Sequence, residues 1–171
     1  MAFILAIDAS TKSTGIALFN DTELVMFNCL TASSSDVIKR IQKIIEQLKP
    51  LLLQYKIDTI ILEEVRPITD TTRKQNIQTH RVLMWLQAAI NFLTHEISPK
   101  TKIEYVYPSE WRAKCGIKNG RGVTREKEKM YDIAFVKEQY DIDVNDDIAD
   151  AIGIGHAFVH HLDNDKPHNH H

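Results

Sequence analysis

The chain has 171 residues, a formal net charge of −2, 43% hydrophobic and 26% charged residues, which suits one compact core without disulfides or a structural metal. This balance argues against a protein that coats nucleic acid by overall charge, though a local basic face is compatible with it. No apolar run approaches the roughly 18 residues that span a bilayer, and the two cysteines, Cys29 and Cys115, stand in no ligand spacing. The expectation is therefore a soluble, cytoplasmic protein with reduced thiols and no membrane partner.

Three strands open the chain: Phe3 to Asp8, Thr14 to Phe19, and Glu23 to Leu30 after the polar Asn20-Asp21-Thr22 turn. Their short connections predict an antiparallel meander. Ser33 to Ser35 offer N-caps for a helix with Val37, Ile38, Ile41, Ile44, Ile45, Leu48 and Leu52 at helical spacing, which Pro50 should kink or interrupt. Asp58 to Val65 reads as a strand buried on both faces, hence parallel to a neighbour, and Arg66 to Gln75 as a loop. From Val82 to Leu93 the helix is apolar all round except for Gln87 and Asn91. One face can pack on the sheet; the other, centred on Trp85, calls for a second cover that a homodimer supplies. Lys102 to Tyr107 is a fifth strand stopped by Pro108, followed by a short helical turn carrying Trp111 and a loop from Gly116 to Gly122. Thr124 caps a charged helix running to about Tyr140, and Asn145 caps the last one. Three strands, helix, strand, helix, strand and helix make an α/β chain with a mixed five-stranded sheet flanked by helices. Residues 1–162 are expected to form a single domain, and 163–171, ending in HNHH, a disordered tail or partial tag.

The chemistry is carried by acids at element ends. Asp8 closes an apolar strand, where a carboxylate is costly unless something binds it. Glu63 and Glu64 end a second such strand and point to opposite faces, so one of them can join Asp8. In the last helix Asp147 and Asp150 lie roughly 60° apart on the helical wheel, and Asp146 and Asp150 roughly 40° apart, so either pair can present oxygens to one point. Asp146 and Asp147 are also what a helix N-terminus favours on its own account. Four converging carboxylates suit magnesium, or manganese, which take oxygen ligands and leave positions open for phosphate and water. Two ions about 4 Å apart would activate the water and stabilise the leaving 3′ oxygen of an in-line displacement, the chemistry of a nuclease. His156 and His160, an i,i+4 pair, invite a zinc reading, but His156 lies about 180° around the helix from Asp147.

These segments, AIDASTKSTGIAL, IILEEV and DDIADAIGIG in that order, resemble the RuvC-type Holliday junction resolvases, including their small phage relatives, within the ribonuclease H and integrase superfamily. The resemblance runs from Phe3 to about Phe158. It implies a ribonuclease H-like fold and assigns the catalytic, metal-holding positions to Asp8, Glu63, Asp147 and Asp150, with Thr14-Gly15 opening the second strand. Ala9-Ser10 stand where many bacterial relatives have Pro-Gly, and Arg66 where they carry an aromatic wedge.

Basic residues cluster in two places. Arg66, Arg73 and Lys74 follow the strand bearing Glu63, while Lys114, Lys118, Arg121 and Arg125 surround the glycine-containing CGIKNGRG. Positive charge on a flexible backbone suits phosphate contact. Lys127 and Lys129, alternating with Glu126 and Glu128, read as readily as a solvated helix face. An isologous dimer would match the two-fold axis of a four-way junction, placing one site on each of two opposed strands, with recognition by branch shape. The expected function is a structure-selective endodeoxyribonuclease making paired, metal-dependent nicks in four-way or branched DNA. A YqgF-type RNA-processing nuclease and a non-catalytic branched-DNA-binding module are the alternatives; a sugar-kinase-like phosphotransferase would need a second domain of similar size.

Overall fold

In a computed structural model, the structure describes residues 1–65 and 74–161, apart from the side chains of residues 74–76. Among the described residues, five strands and five helices follow in the order β1 (Phe3–Asp8), β2 (Ser13–Asn20), β3 (Glu23–Thr31), α1 (Val37–Gln54), β4 (Ile57–Glu63), α2 (Lys74–Ile97), β5 (Lys102–Val106), α3 (Pro108–Lys114), α4 (Arg125–Tyr140) and α5 (Asp146–His161). The sheet order is β3-β2-β1-β4-β5. β1 to β3 form the antiparallel meander, and β4 and β5 join parallel to β1. Central β1 is thus paired antiparallel on one side and parallel on the other.

Strand alternation divides the interior into two layers. On one face Leu5, Ile7, Ile16, Leu18, Ile60 and Leu62 meet Ile41, Ile44, Leu48 and Leu52 of α1 and Leu86, Ile90 and Leu93 of α2. On the other, Ile4, Ala6, Ala17, Phe19 and Ile61 meet α5, Trp111 of α3 and Val136 of α4. Continuing each alternation by two residues puts Asp8 after Ile4 and Ala6, and Glu63 after Ile61, on the α5 face.

Local signals account for most helix ends. Thr124 Oγ1 accepts from Lys127 N at 3.4 Å, and Asn145 Oδ1 from Ile148 N at 3.0 Å. The cap of α1 is Asp36 rather than Ser33 to Ser35: its Oδ1 accepts from Ile38 N and Lys39 N, while Ser34 Oγ accepts from Asp36 N. The carboxylate is the stronger acceptor, and the serine supports it. Pro50 lies within α1 without interrupting it. It is exposed, so the carbonyl it leaves unpaired faces water.

α2 begins at Lys74, eight residues before the apolar run that announced it, so the expected loop of Arg66 to Gln75 loses its end to the helix. The rest of that loop, with Arg66 and Arg73, lies outside the described residues, as does the expected tail of 163–171. On α2, Leu86, Ile90 and Leu93 are buried whereas Met84, Trp85 and Phe92 are 48%, 44% and 79% exposed. Among the described residues no helix is long and apolar enough to cross a membrane.

Candidate active site

The carboxyl ends of β1 and β4 and the first turn of α5 open into one cleft of about 530 Å³, lined by Asp8, Glu63, Asp146, Asp147, Asp150, Arg112, Arg125 and Lys129 among others. The approach of α5 is set by Gly15, which pairs with Asp8 across the sheet. A Cβ built there would stand 1.9 Å from the carbonyl oxygen of Asp147. No side chain fits between β2 and α5, so only glycine allows the helix to present its acids to Asp8.

Each carboxylate has its own support. Trp111 Nε1 donates to Glu63 Oε2 at 3.0 Å, while Gln87 Nε2 donates to the Glu63 carbonyl at 2.8 Å. Ser13 Oγ donates to Asp147 Oδ2. Asp150 lies 3.7 Å from Arg112, and its Oδ1 is buried without a hydrogen-bond partner. Asp146 takes a different partner, Lys129 of α4, which holds its carboxyl below the usual range. The two ambiguities in the sequence thus have a geometric side. Glu63 lines the cleft and Glu64 does not, and Asp146 is committed to a lysine while Asp147 is oriented by a serine.

Burial is the main electrostatic fact. It pushes the Asp8 carboxyl up to about 8, reinforced by the charges of Glu63 and Asp147 and opposed by Arg112. Asp150 is pushed up to about 10 by burial and then by Asp8 and Asp132, again against Arg112. Like charges gathered in a partly dry cleft hold protons unless a cation replaces them. Arg112 is itself buried, and Asp132, buried on α4, grips it with Nε donating to both Asp132 oxygens at 3.1 Å and Nη2 to Oδ2 at 2.8 Å. Burial works most strongly against the Arg112 charge, but the bond to Asp132 together with the charges of Asp132, Asp150 and Glu63 outweighs it and raises its pKa. The guanidinium also lies 4.4 Å from the Trp111 ring centroid.

Among the described residues no three His, Cys, Asp or Glu side chains already form a metal-binding group. The donor set nevertheless fits a hard divalent cation: Asp8, Glu63, Asp147 and Asp150 are all-oxygen, two of them are driven toward protonation by burial and then by neighbouring acids, and among the described residues Asp150 Oδ1 is buried without a hydrogen-bond partner. The histidines do not join them. His156 packs edge-on to Phe135 and pairs through Nδ1 with the Tyr140 hydroxyl at 2.8 Å. Burial, and next the charges of His160 and His161, lower its pKa to about 4.

Of the basic residues expected at the DNA face, Arg125 is exposed and lines the cleft, and Lys118 and Arg121 are exposed in the connection between α3 and α4 without lining the cleft. Lys114 belongs to the end of α3 rather than to that loop, and it pairs with Glu110 at 3.3 Å. Its i,i+4 spacing on one helical face explains the pairing. Lys74 opens α2 with its side chain outside the described residues, like Arg66 and Arg73. Lys129, for which a solvated face is one of two readings open in the sequence, is exposed and also reaches Asp146. Sequence reasoning misses Arg112 and Asp132; the signal available is an acid on the Tyr131, Phe135 and Val136 stripe of α4.

Over residues 1–161 the sequence matches the family described as Lactococcus phage M3 protein (DUF3882). The chain belongs to that family. Comparison with curated proteins finds no match. Among solved structures, RuvC from T. thermophilus in complex with a Holliday junction substrate is similar to this M3-family chain with a TM-score of 0.72 at 11% identity, covering 96% of this chain and 97% of that one. A second Thermus thermophilus RuvC structure gives 0.69 at 12%, covering 95% and 96%. The yeast mitochondrial Holliday junction resolvase Ydc2 gives 0.57 at 14%, covering 92% and 78%. These likenesses establish the fold as the ribonuclease H-like architecture of the RuvC type.

Proposed function

We propose that this M3-family protein is a magnesium-dependent endonuclease that resolves four-way or branched DNA by paired nicks, with manganese able to replace magnesium. The observation that carries the reading is the convergence of Asp8, Glu63, Asp147 and Asp150, from two strand ends and one helix, in a cleft bordered by Arg125. On this reading residues 1–162 are the nuclease unit and two such units act as a homodimer. The fold shared with RuvC, one structure of which holds a Holliday junction substrate, supports the choice of substrate.

Asp8, Glu63, Asp147 and Asp150 would hold two divalent ions, which supply Lewis acidity toward a phosphate and an attacking water. The chain does the rest. Ser13 and Trp111 fix the directions of Asp147 and Glu63, so the oxygens are aimed before substrate arrives. Arg112 partly offsets the burial and repulsion that favour protonation of Asp8 and Asp150. Arg125 at the cleft, with the exposed Lys118 and Arg121 of the preceding loop, would offer phosphate contacts that position the strand without reading bases. The exposed Met84, Trp85 and Phe92 face of α2 supports self-association, because a stable interface hides about 800 Å² per partner and is richest in such side chains.

The test is cleavage of a labelled synthetic four-way junction, beside linear duplex and duplex RNA, with magnesium or EDTA. Symmetrical nicks confined to the junction, dependent on magnesium, are expected. Asp8→Asn should reduce them by more than the roughly 10–100-fold that loss of a metal site's supporting residue costs. Binding without cleavage under any metal would mean a structural module, and cleavage of RNA alone an RNA-processing enzyme.

A further inference from the structure

Asp132 does not itself line the cleft, but it bonds Arg112 and lies in side-chain contact with Asp150, both of which do; among the described residues it is one of the most thoroughly buried acids, at 1% exposure. Both its oxygens are taken up by Arg112, through three hydrogen bonds of 2.8 to 3.1 Å. Arg112 in turn reaches toward Asp150 but stops at 3.7 Å, outside hydrogen-bond range. Asp150 Oδ1 has no hydrogen-bond partner. Buried guanidinium groups and carboxylates ordinarily close to a bidentate fork, because an unpaired buried charge is expensive. Here the fork closes on Asp132, outside the cleft lining, and not on its neighbour Asp150 within it.

We propose that Asp132 is a positioning residue that holds Arg112 back from the carboxylates, leaving the oxygens of Asp150 available to a divalent cation while the arginine charge stays close enough to oppose their repulsion. The inference rests on the reading that Asp8, Glu63, Asp147 and Asp150 hold metal. Without Asp132 the arginine is a mobile buried cation whose nearest partners are Asp150 and then Asp8 and Glu63. It would fold onto them and occupy the lone pairs the metal needs. A mere tether between α3 and α4 would act differently, since its loss would loosen the helices without making Arg112 a competitor.

The experiment is calorimetric titration of the full chain with Mn²⁺ alone, beside thermal melting. Asp132→Asn should weaken Mn²⁺ binding by about 10–100-fold, the range seen when residues supporting a metal site are lost. Removing the competitor as well, in Asp132→Asn/Arg112→Gln, should restore affinity to at least that of wild type. Asp132→Glu keeps the pair but pushes the fork toward Asp150, so it should bind Mn²⁺ more weakly than wild type with little change in melting temperature. That variant decides the matter should Asp132→Asn fail to fold. Wild-type affinity in a folded Asp132→Asn, a double variant no better than the single, or unchanged affinity in Asp132→Glu would each overturn the inference. Asp8→Asn separates it from the reading beneath: Mn²⁺ binding that is lost in Asp8→Asn but kept in Asp132→Asn sinks the role of Asp132 alone. Wild type showing no Asp8-dependent binding sinks both.

Discussion

Asp8 shows how one residue ties stability to pH and cations. Its folded pKa, about 8, lies above the ordinary value of 3.8, so between these values the folded state binds more protons than the unfolded one and stability falls as pH rises. The contribution is full below about 3.8 and is lost as pH climbs through about 8; Asp150, raised to about 10, extends the decline. Thermal melting of the metal-free protein should therefore drop between pH 5 and 8, added magnesium should reverse the drop, and Asp8→Asn should flatten the profile. Gly15→Ala is the matching steric experiment. Its Cβ would collide with backbone and not with a flexible side-chain end, so a cost of about 1–3 kcal/mol in urea unfolding is expected, at the scale of other overpacked sites. The acids themselves were legible in the sequence, because a carboxylate ending an apolar strand is locally anomalous. The pair of Arg112 with Asp132 was not, since its members lie 20 residues apart on different helices and each reads locally as an ordinary helix charge.

At the scale of elements, α5 bridges sheet and site. Its Gly155 faces Phe19 and its Gly153 faces Trp111, and a Cβ added at Gly153 would stand only 2.5 Å from the indole ring. Gly153→Ala should push that ring off Glu63, and a shift in tryptophan fluorescence together with weaker Mn²⁺ binding is the expected result. Helices α4 and α5 were placed well from sequence because Thr124 and Asn145 are short-range caps, whose partners lie three residues away. The start of α2 was missed for the opposite reason: Lys74-Gln75-Asn76 and the residues up to Arg81 carry no apolar periodicity, and a helix there continues from the buried turns that follow. The far side of α2 bears directly on assembly. On the proposed homodimer, wild type is expected to sediment as a dimer and Trp85→Ser/Phe92→Ser as a monomer that nicks junctions singly. Paired cleavage by such a monomer would contradict the proposed two-fold mode of action.

For the whole molecule, the antiparallel meander and the mixed character of the sheet also followed from the sequence, because short turns dictate antiparallel pairing and an unbroken apolar strand points to a parallel neighbour; the strand order itself comes from the structure. What the sequence withheld was the mixing of charge within the site: with a net of only −2, the cleft is lined by Arg112, Arg125 and Lys129 as well as by its acids. Polarity of another kind follows from β1 running from Phe3, opposite Asn20, to Asp8, opposite Gly15. The β2–β3 hairpin, with Asp21 in left-handed conformation at φ 53° and Thr22 exposed beside it, therefore sits a full strand length from every acid in the cleft. A fluorophore or surface tether attached at Thr22 would leave the cleft clear, giving single-molecule work on branched DNA a handle at the end of the sheet that takes no part in the chemistry.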